Sequence, residues 1–191
     1  MNRRQAVQSL ALGGAFAASA DAFHDPPGVS ASKIRARYFH LVADDFVVNI
    51  WRNGGVVPES KRTLTDEIYG ATVERVTLDL AIGDWLVFHV VNNRLRWGGC
   101  RFFGMAAMAA ENESTIVSRA SAEWCYTDRP GDVPGFIAER DRLKEQTVKV
   151  ITPDRAWDQG VPRLNSLVGG QWQGQPIWGE ASSTWLKLRV V

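Results

Sequence analysis

Trp85-Leu86-Val87-Phe88-His89-Val90-Val91 is the stretch that decides the fold. Only His89 interrupts its apolar character, and the run is too short for an ordinary helix. Ile82-Gly83-Asp84 precedes it and Asn92-Asn93 follows, so turn residues bound it on both sides. A strand that is apolar at both odd and even positions is one covered on both faces.

The same reading extends in both directions. Upstream, Val73 to Leu80 places Val76, Leu78 and Leu80 on one face and Arg75, Thr77 and Asp79 on the other, the period of two that marks a half-buried strand. Phe46 to Trp51 is another strand, and Asn53-Gly54-Gly55 supplies the positive-φ residues of its turn. Downstream, a strand around Cys100 to Ala110 turns at Glu111-Asn112-Glu113-Ser114 into Thr115 to Ser118. Trp124-Cys125-Tyr126 and Thr147 to Ile151 are strand-like, and Thr184 to Val190 closes the chain as a strand. Phe136 to Gln146 alone has a helical period, short enough for a surface helix or an ordered loop. Pro153 to Ser183 reads as a Gly/Pro/Trp-rich loop. Many short strands with frequent turns and little helix predict an all-β, antiparallel β-sandwich or jelly roll with at most one short helix.

The first 22 residues are different. Arg3-Arg4 open them, no acid precedes Asp21, and the Ala/Gly-rich stretch from Ala6 to Ala18 is mildly apolar. Ala18-Ser19-Ala20 and Ala20-Asp21-Ala22 both fit the small-x-small pattern of a cleavage site. This stretch falls short of the about 20 apolar residues that span a bilayer. Residues 1–22 are therefore expected to be an export signal, twin-arginine-like or ordinary secretory. Residues 23–32 are expected to be a flexible leader and 33–191 a single domain, periplasmic or secreted, without a transmembrane segment.

Composition narrows the function. The 191 residues carry 22 Lys+Arg against 21 Asp+Glu, a net +1, and this balance argues against a nucleic-acid binder. Eight tryptophans are a large stock of apolar area for a core or a binding surface.

The order of motifs carries a resemblance. Ala43-Asp44-Asp45-Phe46 leads into a strand ending at Arg52-Asn53-Gly54. Leu80-Ala81-Ile82-Gly83-Asp84 precedes the central strand, and Asn92-Asn93 precedes Trp97-Gly98-Gly99. Ser118 to Trp124 and Pro176-Ile177-Trp178-Gly179 follow. This succession resembles the galactose-binding-like β-sandwich modules of secreted bacterial proteins, including accessory modules of glycoside hydrolases, over about Tyr38 to Val191. Two differences stand out: the Ser-to-Trp spacing has one extra residue, and the loop from Thr127 to Val148 is long. The resemblance implies a jelly-roll sandwich of a type often used for glycan binding, sometimes with a structural calcium. Fold alone does not assign function.

The chemistry-bearing residues point the same way. Sugar rings stack their C–H faces on aromatic side chains, while their hydroxyls need planar polar partners. Two loops hold both ingredients, Asn92 to Trp97 and Gly170 to Trp178, which makes Arg94, Arg96, Trp97, Trp172 and Gln173 the candidate glycan-binding residues. The alternative is that these tryptophans plug the ends of the sandwich. For Trp85, Trp124 and Trp185, inside strand patterns, a core position is expected. Asp44-Asp45 either caps a turn or contributes to a calcium site. Cys100 and Cys125 are the only cysteines and form either a disulfide or two separate buried thiols. His40 and His89 each stand alone, without metal-ligand spacing. No pair of carboxylates stands out for glycosidase work, and no Gly-x-Ser-x-Gly elbow or phosphate-loop lysine is present. The leading expectation is thus an exported, non-catalytic binding module for carbohydrate or another cell-envelope polymer, with no cofactor beyond that calcium. A protein–protein interaction or assembly subunit is the alternative, since Trp and Arg also dominate protein hot spots. A hydrolase with an unrecognised site comes third.

Overall fold

A computed structural model of the chain describes residues 34–68, 71–92, 101–140, 142–152 and 160–191. The expected export signal and leader lie outside these residues, as do Arg94, Arg96, Trp97 and Cys100.

Two antiparallel sheets face each other. The first contains β1 (Ile34–Ala43), β4 (Arg62–Ile68), β5 (Ala71–Ala81), β7 (Phe103–Ala110), β8 (Glu113–Val117), β11 (Lys149–Val150) and β12 (Ile177–Trp178), in the order β11-β12-β7-β1-β5-β4 with β8 also on β7. The second contains β2 (Phe46–Arg52), β3 (Gly55–Val56), β6 (Trp85–Val91), β9 (Trp124–Thr127), β10 (Gln146–Thr147) and β13 (Ser183–Arg189), in the order β10-β9-β13-β6-β2-β3. The all-β sandwich read from the sequence is the fold observed.

Alternation places one face of each strand between the sheets. Phe39 and Leu41 of β1, Val76 and Leu80 of β5 and Phe103 and Met105 of β7 meet Ile50, Leu86, Phe88, Val90, Trp124, Tyr126, Leu186 and Leu188 of the opposite sheet in one core. The aromatic centre is tight: the Phe88 ring stands edge-on to Phe39 at 5.9 Å and lies 6.1 Å from the near-parallel Trp124 ring. Polar groups also bridge the layers. Arg62 of β4 pairs with Glu74 of β5 at 3.0 Å, both side chains almost wholly buried. The same guanidinium donates to the carbonyls of Val47 and Val48 on β2, where a bulge between Val47 and Asn49 interrupts the pairing with β6. One buried ion pair thus ties the first sheet to the second.

The turns follow the sequence. Asn53 (φ 52) and Gly54 (φ 87) make the two-residue hairpin between β2 and β3. Asp84 locks this corner, accepting from Asn53 Nδ2 at 2.7 Å and from the Ala81 N–H at 2.8 Å.

Two helical segments differ from expectation. Of the stretch Phe136–Gln146, read as a surface helix or an ordered loop, only the start lies in a helix, α1 (Val133–Ile137), because Glu139 turns to positive φ (58) and the chain leaves the helical path. The stretch read as a Gly/Pro/Trp-rich loop contains α2 (Gly160–Leu167), so the helix among the described residues stays as slight as an all-β sandwich requires. Each helix covers the outer face of a sheet. Leu164 of α2, with Val168 and Trp172 behind it, packs on Val42, Val73, Phe102, Ala106 and Met108 of the first sheet. Phe136 of α1 packs on Val87 and Cys125 of the second. The apolar run in β6 is therefore covered on both faces, as its sequence predicts.

Candidate functional site

The outer face of the six-stranded sheet is where chemistry gathers. Register fixes its layout: Trp185 of β13 stands opposite His89 of β6, which stands opposite Asn49 of β2. In the next row Lys187, Val87 and Trp51 are neighbours, and Arg189 stands opposite Trp85 in the row after. Because side chains alternate along each strand, all of these project to one side. Trp51, Trp85 and Trp185 are half-buried and belong to one cluster with Val87, Cys125 and Phe136.

Half of this face is sealed by the segment after β9. The Trp85 indole N–H donates to the Ile137 carbonyl at 2.8 Å. Lys187, whose side chain is fully buried, donates to Glu139 at 2.6 Å and Glu145 at 2.7 Å and sits 4.1 Å from the centre of the Phe136 ring. Arg189 bonds the same two carboxylates at 2.6 and 2.5 Å. Two cations and two carboxylates balance, as burial of charge demands. Burial raises the affinity of Glu139 and Glu145 for a proton, but the hydrogen bonds and charges of Arg189 and Lys187 outweigh it and hold both carboxyls below their ordinary range. Beneath them, burial pushes the Cys125 thiol up to about 12, with Glu145 adding to the effect. At neutral pH that thiol is protonated and cannot serve as a nucleophile.

The other half keeps its side chains partly exposed. The rings of Trp185 and His89 lie parallel, 4.3 Å apart and 9° from coplanar. Burial pushes the His89 imidazole down to about 4, so it is neutral at pH 7, and its Nε2 shares a hydrogen bond with Ser183 Oγ at 2.9 Å. Half-buried Asn49 and Trp51 continue the shelf towards the sheet edge. Trp185 and Trp51 lie two strands and two residues apart, roughly 12 Å from strand spacings of ~4.8 Å and rises of ~3.4 Å.

The residues singled out in the sequence fall elsewhere. Trp172 is only 5% exposed, and its indole N–H donates to the Met105 carbonyl at 3.1 Å. It plugs the outer face of the seven-stranded sheet, so it is no stacking platform. The reason is local: Asn165 Oδ1 accepts the Trp172 backbone N–H at 2.7 Å and folds the loop inward, against the gap left by Gly104. Gln173 is exposed and its amide donates to the Gln171 carbonyl. Trp124 is in the core as expected; Trp85 and Trp185 are not wholly so, since their side chains point to the outer face.

Asp44 caps its turn, accepting from the Asp45 N–H at 2.9 Å and from Asn92 Nδ2 at 2.5 Å, while Asp45 takes the positive φ (52). Among the described residues no group of three or more His, Cys, Asp or Glu is placed to hold a metal ion. His40 and His89 lie on outer faces of opposite sheets, so they cannot share one. Cys125 is a free, buried thiol and not one half of a disulfide, its Sγ 3.6 Å from an Arg189 nitrogen.

Compared with known proteins, the chain matches no family model, no curated protein and no solved structure at a significant level. The likeness to galactose-binding-like modules thus rests on the sequence motifs alone.

Proposed function

We propose that this chain is an exported, non-catalytic binding module that holds a carbohydrate or another cell-envelope polymer on the open half of its six-stranded sheet. One observation carries the reading: Trp185, His89 and Trp51 form a partly buried aromatic row on the outer face of the sheet, with Asn49 and Ser183 beside them. Aromatic faces take the C–H side of a sugar ring, and amide and hydroxyl groups take its hydroxyls. The ~12 Å between Trp185 and Trp51 suits an extended chain better than a single ring. The motif resemblance to galactose-binding-like modules supports the same class of ligand, and the amino-terminal pattern supports export. Trp172, read from the sequence as part of a loop-borne site, is buried and has no surface to offer, so the sheet face carries the reading here.

A glycan-array screen of the chain from residue 33 onward tests this. The wild type is expected to bind at least one polysaccharide, and Trp185→Ala to lose about twofold to tenfold in affinity, because stacking on an aromatic ring of this kind is worth on the order of 0.5–1.5 kcal/mol. Binding that Trp185→Ala and Trp51→Ala leave intact removes the shelf from the account. No binding to any glycan turns the reading to a protein partner.

A further inference from the structure

A second polar cluster lies on the outer face of the seven-stranded sheet, beside the seat of α2. We propose that His40, Arg75 and Arg163 form a site for a tetrahedral oxyanion, phosphate or sulfate, free or carried on a larger ligand.

Three elements converge there. His40 of β1 stands directly opposite Arg75 of β5, and both share the outward face of Val42 and Val73. Tyr38, on the same face of β1, carries the Arg75 guanidinium 4.1 Å above its ring centre and meets the imidazole edge-on at 5.4 Å. Arg163 of α2 reaches over to Asp66 of β4, with Nη2 at 3.2 Å from Oδ2. Its charge acts on the imidazole together with that of Arg75.

The cluster is short of an acceptor. His40 is only 7% exposed and makes no hydrogen bond to any described residue, and its Nδ1 is buried. An imidazole carries at least one N–H in either charge state, and guanidinium groups only donate, so neither arginine can receive it. Arg163 Nε is likewise buried without a partner, because Asp66 meets that guanidinium at Nη2. Arg75 is exposed and makes no ion pair among the described residues. Buried polar groups in folded proteins are nearly always bonded, so an imidazole and a guanidinium nitrogen left unbonded on one patch point to a missing acceptor.

The shape of that acceptor follows from where the donors stand. Two rise from strands and the third comes from the helix packed over them, so they do not share a plane. A carboxylate presents its two oxygens in one plane, whereas phosphate and sulfate present theirs in three directions. Asp66 balances Arg163, which leaves the charge of Arg75 for the ligand. The Trp185 row lies on the opposite side of the sandwich, so the two sites stand or fall separately.

The test is isothermal titration of the full chain at fixed ionic strength with sulfate, phosphate, glucose 6-phosphate and acetate, alongside imidazole NMR signals followed through the sulfate titration. Sulfate and phosphate are expected to bind saturably, with acetate at least about tenfold weaker. The His40 ring signals are expected to move with the sulfate isotherm while those of His89 stay in place. Arg75→Gln is expected to lose about tenfold at an unchanged melting temperature, and Trp185→Ala to bind as the wild type does. Glucose 6-phosphate bound as tightly as phosphate supports a group carried on a larger ligand, and its exclusion supports the free ion. Absence of saturable binding overturns the proposal. Acetate binding equal to sulfate removes the tetrahedral group from it, and sulfate binding that leaves His40 unmoved or survives Arg75→Gln puts the ion elsewhere; each of these results overturns it.

Discussion

His89 carries the sharpest consequence of burial. Its imidazole is held down at about 4, while the unfolded chain restores the ordinary value of 6.5. Between these two values the unfolded state takes up the proton first, so stability is full above pH 6.5 and declines as pH drops towards 4. His40, pushed to about 4 by burial and then by the charges of Arg75 and Arg163, acts in the same direction. Below that window the carboxyls of Glu139 and Glu145, held low in the fold, begin to protonate and the ion cluster with Lys187 and Arg189 loosens. Thermal melts from pH 7.5 to 4.5 are therefore expected to show a falling midpoint, with His89 contributing on the order of 2–3 kcal/mol across its window. His89→Gln flattens part of that slope. A midpoint independent of pH over this range, or a slope that His89→Gln leaves unchanged, contradicts the placement of His89. None of this was legible in the sequence: a lone histidine in an apolar run gives no sign that Trp185, 96 residues away, lies flat against it.

Among the elements, β6 was the most legible and α2 the least. An apolar run broken only by His89, with its flanking turns, marked the boundaries of β6, and the structure adds what covers its second face. In α2, Gly160 and Pro162 hid a helix whose Val161, Leu164 and Val168 nonetheless keep the spacing of three and four. Proline is tolerated in a first turn, so the helix forms in spite of it. Its seat on the sheet depends on Gly104 of β7. A Cβ there would come within 2.5 Å of the Leu164 side chain and 3.3 Å of the Trp172 ring. Gly104→Ala is accordingly expected to destabilise the fold by about 1–3 kcal/mol and to move tryptophan emission to longer wavelength as Trp172 is pushed outward. Urea denaturation followed by fluorescence checks both, and a variant indistinguishable from wild type shows that α2 yields without cost. The same packing explains why Trp172 is buried: sequence shows that it is flanked by Gln and Gly, but only the missing side chain at 104 shows where its ring goes.

At the scale of the whole molecule, two sheets enclose a core and each wears a partial cover. Arg62 and Glu74 join the layers from within. On the outside, α2 and the residues behind it close the seven-stranded sheet, while α1 and the Glu139/Glu145 cluster close half of the six-stranded one. Among the described residues, the row of Trp185, His89 and Asn49 with Trp51 beside it keeps part of its surface exposed. The sandwich was visible from alternation alone. Which face of β13 and β2 would be left bare was not, because it depends on the long connection between β9 and β10 docking through Lys187 and Arg189.

The indole N–H resonances of the tryptophans, followed while a soluble glycan identified on the array is titrated in, separate the faces directly. Trp51 and Trp185 are predicted to shift saturably while Trp124, Trp172 and Trp178, each bonded to a backbone carbonyl, stay in place. Shifts confined to Trp172, or no shift at Trp51 and Trp185 under saturating glycan, would contradict the assignment of the open sheet face as the binding surface.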